Sequence, residues 1–138
     1  MVEFAEDLTV GLEEDRPGAL AAVFALVARA NLNLEGYAFI EGLLHFLTTD
    51  ASAARTALEG AGVRVRRQRK VLVVDGENRV GKAASIFLRI AEVGANVHFS
   101  YVAAGDRVVI GAERLEELAD LQLDGVTWPI PEQTAPHR

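Results

Sequence analysis

The sequence predicts an α+β fold built twice: two β-α-β-β-α-β units in tandem, each an antiparallel sheet with two helices on one face. An internal repeat is the first observation behind it. The segment D-R-P-G-A-L-A-A-V-F-A-L-V-A-R-A-N-L-N-L from Asp15 lies without a gap over N-R-V-G-K-A-A-S-I-F-L-R-I-A-E-V-G-A-N-V from Asn78, an offset of 78 − 15 = 63. Six of these twenty positions are identical: Arg16 and Arg79, Gly18 and Gly81, Ala21 and Ala84, Phe24 and Phe87, Ala28 and Ala91, Asn33 and Asn96. The second observation is the stripe Leu20, Val23, Phe24 and Val27, whose i, i+3, i+4, i+7 spacing makes one buried helix face. Ile86 and Ile90 renew that stripe in the second copy, so Phe24 and Phe87 are expected in equivalent core positions. The third is the turn chemistry between apolar runs, at Glu41-Gly42 and at Gly105-Asp106.

The elements follow in order. Leu8 to Leu12 reads as a strand, and Arg16-Pro17-Gly18 opens a helix to about Ala30, with proline where a first helical turn accepts it. Leu32 to Ile40 and Leu43 to Thr49 form a hairpin, and Ala51 to Ala61 a second helix closed by Gly60 and Gly62. Val63 to Arg69 is the last strand of the unit. The second copy gives strands at Val71 to Val74, Asn96 to Ala103, Val108 to Gly111 and Val126 to Ile130, and helices at Arg79 to Val93 and Glu113 to Leu121. These readings set domain limits of 6–69 and 70–130, with 131–138 a flexible proline-rich tail. Units of this size are near the lower limit of independent stability, and the junction Arg69-Lys70 holds no Gly, Pro or Ser. One compact body without a flexible linker is therefore expected.

Composition narrows the functions. No apolar run in the 138 residues approaches bilayer length, and no charged-then-apolar leader opens the chain, so a cytoplasmic protein without membrane partners is expected. There is no cysteine, which excludes disulfides and thiolate metal sites. His45, His98 and His137 lie far apart with no second ligand at helical spacing, so they read as structural and no metal or other cofactor is expected. The net charge of −6 is shared evenly, seven Lys/Arg against ten Asp/Glu on each side of the 69/70 junction. That balance argues against nucleic acid as a partner. The basic run Val63-Arg64-Val65-Arg66-Arg67-Gln68-Arg69-Lys70 reads as a strand with arginines in water, since no stacking aromatics interleave it. Charge of this kind also protects a sheet edge.

Gly76-Glu77-Asn78-Arg79-Val80-Gly81-Lys82-Ala83 is a near-match to a phosphate-binding loop. Ala83 stands where a hydroxyl should hold magnesium, and the repeat already accounts for Gly81 as the partner of Gly18. Nucleotide binding is not expected.

Asp15-Arg16-Pro17-Gly18-Ala19-Leu20, a helix, then Asn31-Leu32-Asn33-Leu34 resembles the signature of the ACT domain, D-x-P-G-x-L followed by a helix and G-x-N-I. The second copy resembles it through Gly81 and Gly94-Ala95-Asn96-Val97 and lacks the proline. The resemblance covers about residues 6 to 130 and implies a stand-alone tandem pair of ferredoxin-like units with no catalytic domain. It further implies an allosteric sensor that binds amino acids at interfaces between copies and regulates amino-acid metabolism.

The residues themselves suit such a ligand. A helix N-terminus offers unpaired N–H groups and partial positive charge to a carboxylate. Gly18 lets a ligand approach the backbone. The glycine-to-asparagine spacing is 33 − 18 = 15 in one copy and 96 − 81 = 15 in the other, and the asparagine is expected to return beside the loop. Its amide both donates and accepts, so it can hold either end of a zwitterion, and Asp15 can receive the ammonium. The candidate ligand-binding residues are therefore Asp15, Arg16, Gly18, Ala19 and Asn33, with Asn78, Arg79, Gly81, Lys82 and Asn96 in the second copy. The competing readings are a helix cap at Asp15, tight helix–strand packing at Gly18 and a tie within a turn at Asn33. Arg16 and Arg79 either steer an anion or pair with Glu13, Glu14 or Glu77. Exchange of Asp15, Pro17 and Ala19 for Asn78, Val80 and Lys82 makes the two sites inequivalent.

Three function classes follow: a non-catalytic amino-acid-binding regulatory module, an interaction or oligomerisation module without a small ligand, and a hydrolase on a ferredoxin-like fold. The last lacks a glycine-rich phosphate cradle and any Ser-His-Asp, Cys-His or paired-carboxylate set. No catalytic residues are expected, and self-association into a homodimer is left open.

Overall fold

The structure is a computed structural model and describes residues 2–12 and 16–126. The fold is α+β, with the order β1 (Val2–Gly11), α1 (Ala19–Arg29), β2 (Leu34–Ile40), β3 (Leu43–Thr48), α2 (Ala51–Gly60) and β4 (Val65–Asp75). It continues with α3 (Lys82–Glu92), β5 (Val97–Ala103), β6 (Arg107–Ala112), α4 (Leu115–Ala119) and a 3₁₀ turn at Leu123–Gly125. All strand pairs are antiparallel, in the order β2-β3-β1-β4-β6-β5. The sheet folds over until its end strands β2 and β5 meet at Gly36 and Ala103. A Cβ at Gly36 would lie 2.7 Å from that of Ala103, so glycine is what permits the approach.

Alternation along the strands sorts the side chains into three cores. Leu8 and Val10 of β1, with Leu44 and Phe46 of β3, pack under α1 and α2. Leu72 and Val74 of β4, with Val108 and Ile110 of β6, pack under α3 and α4. The opposite faces meet each other in a third cluster that includes Leu47, Val71, Val73, Tyr101 and Val109. Positions that the gapless comparison pairs fall alike in the first two cores. Val23 and Val27 are buried in the first where Ile86 and Ile90 are buried in the second, and the partly buried Phe24 and Phe87 flank them in the same way.

Two long strands depart from the predicted layout. β4 runs unbroken through Arg69-Lys70, where two separate strands were expected. β1 begins at Val2, upstream of the expected Leu8, and pairs with β4 from Val2↔Val74 to Val10↔Val65. The first half of β1 thus lies beside the β4 segment that opens the second repeat, and the first half of β4 closes the sheet of the first. Pairing of this kind is non-local, so the 69/70 boundary leaves no mark in local composition. The expected strand Val126 to Ile130 and the tail 131–138 fall, apart from Val126, outside the described residues. Helix boundaries also shift. α1 starts at Ala19 instead of Arg16, because Gly18 takes a left-handed φ of 88° as its N-cap. The helix expected from Glu113 to Leu121 is only Leu115–Ala119. Glu41 (φ 47°) and Gly42 (φ 84°) both take the positive angles of a tight hairpin turn, as their sequence suggests.

Because both long strands serve both repeats, unfolding is expected to be a single cooperative transition. Leu8→Ala and Leu72→Ala, in different cores, should each lower stability by about 2–5 kcal/mol. In urea each should move the one midpoint, monitored by far-UV and near-UV circular dichroism.

Candidate functional site

The loop from β1 to α1 borders two adjoining depressions of about 630 and 790 Å³, which share Leu12, Arg16, Ala19 and Arg66. The larger is a groove between the α1 N-terminus (Gly18 to Ala21) and the β2–β3 turn (Phe39 and Glu41 to Leu43). No side chain caps α1 among the described residues, and no acidic residue lies in its first turn. The N–H groups of Leu20 and Ala21 therefore end the helix without intrahelical acceptors, and both residues line the groove. Arg16 adds a positive group beside this end, and Glu41 lies across the groove. One wall suits a carboxylate and the other an ammonium group.

The predicted residues separate in space. Arg16, Gly18 and Ala19 come together at the groove, whereas Asp15 lies outside the described residues. A Cβ at Gly18 would meet nothing within 4 Å, so the left-handed backbone, not a crowded neighbour, demands the glycine. Asn33 does not return beside this loop. The 11 residues of α1 span about 16 Å and carry the chain away from Gly18 before Asn33 is reached. Its backbone is held by Thr48 and Thr49 at the far end of β3. Asn96 is held in the same way by Glu113. β2, which Asn33 introduces, runs beside the 104–107 turn through Ala104 N–H to the Glu35 carbonyl and the Arg107–Glu35 pair at 3.8 Å. That turn also holds Gly76 of the second loop. A strand of one repeat thus approaches the loop of the other.

The second loop is differently equipped. Lys82 is buried, and its Nζ donates to the carbonyls of Asp124 (2.7 Å) and Val126 (2.9 Å) and pairs with Glu77 at 3.4 Å. These contacts use the ammonium to fasten the segment after α4, which removes Lys82 from the candidate ligand contacts. Arg79 donates to Glu77 through Nε at 3.0 Å, the pairing that the sequence allowed. Arg79 and then Lys82 hold the Glu77 carboxyl below the usual carboxylate range. Gly81 keeps the left-handed N-cap of its partner (φ 79°), and Asn78 takes a φ of 43° in the turn before it.

Sequence reading missed Glu41, Phe39 and Arg66, which reach the groove only through the β2–β3 turn and through β4. It also missed a buried polar cluster between the sheets. Asp7 is fully buried and accepts from Tyr101 Oη, from Thr9 Oγ1 at 3.1 Å and from His45 Nδ1 at 2.9 Å. His45 is thereby structural, stacked on Phe99 at 4.2 Å. Among the described residues, no group of three His, Cys, Asp or Glu is placed to hold a metal ion, and no helix is long and apolar enough to cross a membrane.

In fold, this is the α+β architecture of the regulatory domains that aspartate kinases carry. The chain is similar to protein BT0572 from Bacteroides thetaiotaomicron, with a TM-score of 0.71 and 21% identity, over 88% of this chain and 86% of that one. It is similar to the regulatory subunit of aspartate kinase from Thermus thermophilus, in its ligand-free form, with a TM-score of 0.63 and 21% identity, over 88% and 92% of the two chains. It also matches E. coli aspartokinase III in complex with lysine and aspartate, with a TM-score of 0.56 and 18% identity, over 87% of this chain and 30% of that one. No family model and no curated protein sequence matches the chain.

Two outcomes follow from the geometry. Burial, and then the Asp7 charge, push the Tyr101 phenol far above its ordinary value of 10.0. Folding therefore favours the protonated phenol: its contribution is complete below pH 10 and is lost as pH rises above it. Melting temperatures between pH 8 and 11 should fall at the alkaline end, and less steeply in Tyr101→Phe. Lys82→Ala should cost about 1–3 kcal/mol of stability by orphaning two carbonyls. Calorimetry with ATP or GTP and magnesium should show no binding to wild type; micromolar binding lost in Lys82→Ala would restore the phosphate-loop reading.

Proposed function

We propose that the chain is a non-catalytic regulatory module that binds a free amino acid, or a closely similar zwitterion, and controls a step of amino-acid metabolism. The observation that carries this reading is the pairing of opposite charges across the α1 groove. The open helix end and Arg16 lie on one wall and Glu41 on the other. A zwitterion satisfies both walls, whereas a simple anion or cation satisfies one. The likeness of the fold to an aspartokinase solved with lysine and aspartate supports the same reading. Gly18, Ala19 and Arg16 are assigned to the ligand carboxylate and Glu41 to its ammonium. The second loop, with Lys82 and Arg79 engaged in the fold, is assigned a structural role.

A second reading keeps one specific support. Tyr37 and Phe39, 49% and 39% exposed, form an apolar strip on one face of β2, a strand that pairs with β5 at one position only. Such a strip fits a protein-interaction or homodimer surface. The two readings are separable.

A thermal-shift screen against the twenty amino acids should find one that stabilises the protein, by about 2.7 kcal/mol when present at a hundred times its Kd. Gly18→Asp should abolish the shift. Gly18→Ala carries the same backbone strain without the charge and should retain more binding. Glu41→Gln should weaken binding by roughly tenfold or more, as expected for a charge-assisted contact. Asn33→Ala, at the far end of α1, should leave this groove's affinity unchanged. If no amino acid at millimolar concentration moves the melting curve, the interaction module is the better reading.

A further inference from the structure

A separate cavity of about 330 Å³ opens at the polar end of the space between the sheets. Arg66, Arg67 and Arg69 line it together with His45, His98 and Phe99, and no acidic side chain does. Strand register explains the gathering. Thr9 has His45 opposite it on β3 and Arg67 opposite it on β4, which sets the three side chains in one row on one face. Arg69 stands in the next row, opposite Asp7. Strict alternation would send Arg66 to the other face. Instead, the pairing slips between Thr9 and Val10, from Arg67 to Val65, and leaves Arg66 as the extra residue of a bulge. A bulge re-aims a side chain in this way. Gly11 completes the arrangement, since a Cβ there would lie 2.5 Å from the Arg66 guanidinium.

The charges of this cavity are unbalanced. Arg67 has no carboxylate partner among the described residues, and the contact recorded for Arg69 is the face of Phe99, 5.5 Å from its Cζ. The carboxylate on the same sheet face, Asp7, is already taken up by Tyr101, Thr9 and His45. A chain of net charge −6 thus sets Arg67 and Arg69 together at one concave site that no acidic side chain lines. Guanidinium forks match the planar edges of phosphate and carboxylate groups. We propose that this cavity binds a small polyvalent oxyanion, a phosphate group or a di- or tricarboxylate. Arg67 and Arg69 supply its main contacts, with His98 at the rim. The site is distinct from the α1 groove, with which it shares Arg66 and Leu43. It does not depend on the amino-acid reading.

The test is a titration of the full chain with orthophosphate, citrate and succinate at constant ionic strength, followed by calorimetry and thermal shift. At least one should give a saturable response that chloride does not reproduce. A response to phosphate alone identifies a phosphate site, and a response to citrate or succinate alone a polycarboxylate site. The double substitution Arg67→Gln/Arg69→Gln should weaken binding at least about tenfold, whereas Glu41→Gln should leave it unchanged. Should the double variant not fold, amide NMR shifts of the wild-type protein carry the test, and they should centre on residues 67–69 and 98–99. The proposal is overturned if no anion saturates at millimolar concentration, if chloride matches the effect, or if the double variant binds like wild type. Shifts centred elsewhere, or binding of an RNA oligonucleotide but of none of the small anions, would overturn it equally.

Discussion

The antiparallel pairing of β1 with β4 holds the rest of the molecule in place. It runs from Val2↔Val74 to Val10↔Val65, longer than either repeat needs for itself. One half of each strand belongs to one sheet and the other half to the second, so neither repeat has a complete sheet without a strand that also serves its neighbour. The alternation of side chains then carries the consequence into three cores. Leu8 and Val10 turn toward α1 and α2, Leu72 and Val74 toward α3 and α4, while Val71 and Val73 fill the space between the sheets. A one-residue slip in this register would exchange inside for outside along both strands.

The middle layer also explains why a carboxylate can be buried there. Asp7 shares the β1 face that looks between the sheets, where an unpaired charge would be strongly destabilising. Three donors from three other positions meet it: Tyr101 of β5, His45 of β3 and Thr9 of β1. No buried side-chain nitrogen or oxygen lacks a partner among the described residues. The cluster ties strands of the two repeats together, because Asp7 and Tyr101 are 94 positions apart in sequence. Toward solvent, the same layer opens into the arginine-lined cavity.

The two glycine-capped loops differ in what they do. Both keep the left-handed glycine N-cap, Gly18 at φ 88° and Gly81 at φ 79°. In the first loop no side chain among the described residues caps the helix end, which faces a groove. In the second, the lysine that replaces Ala19 is drawn inside to bind two backbone carbonyls of the chain's later segment. The loop is also one residue shorter: Gly11 and Asp75, which end their strands, are 64 apart (75 − 11), whereas Gly18 and Gly81 are 63 apart (81 − 18). Gapless comparison from Asp15 aligns the helices and misaligns the strands before them by one position.

Local chemistry made several features of this protein legible in the sequence alone. The helix faces and the hairpin turn at Glu41-Gly42 each depend on residues within about one helix turn or one hairpin of each other. So does the half of the groove formed by Arg16, Gly18 and Ala19. What depends on distant partners was decided only by the tertiary structure. The length and sharing of β1 and β4, and the burial of Lys82, follow from pairing across more than forty residues. Glu41 reaches the groove because β3 lies beside β1. The basic run on β4 read as a strand with its arginines in water because no aromatic interleaves it; the aromatic that meets Arg69 is Phe99, supplied by another strand. Asn33 was expected beside Gly18 from a constant spacing of 15, but that spacing contains a rigid helix, which holds its two ends apart.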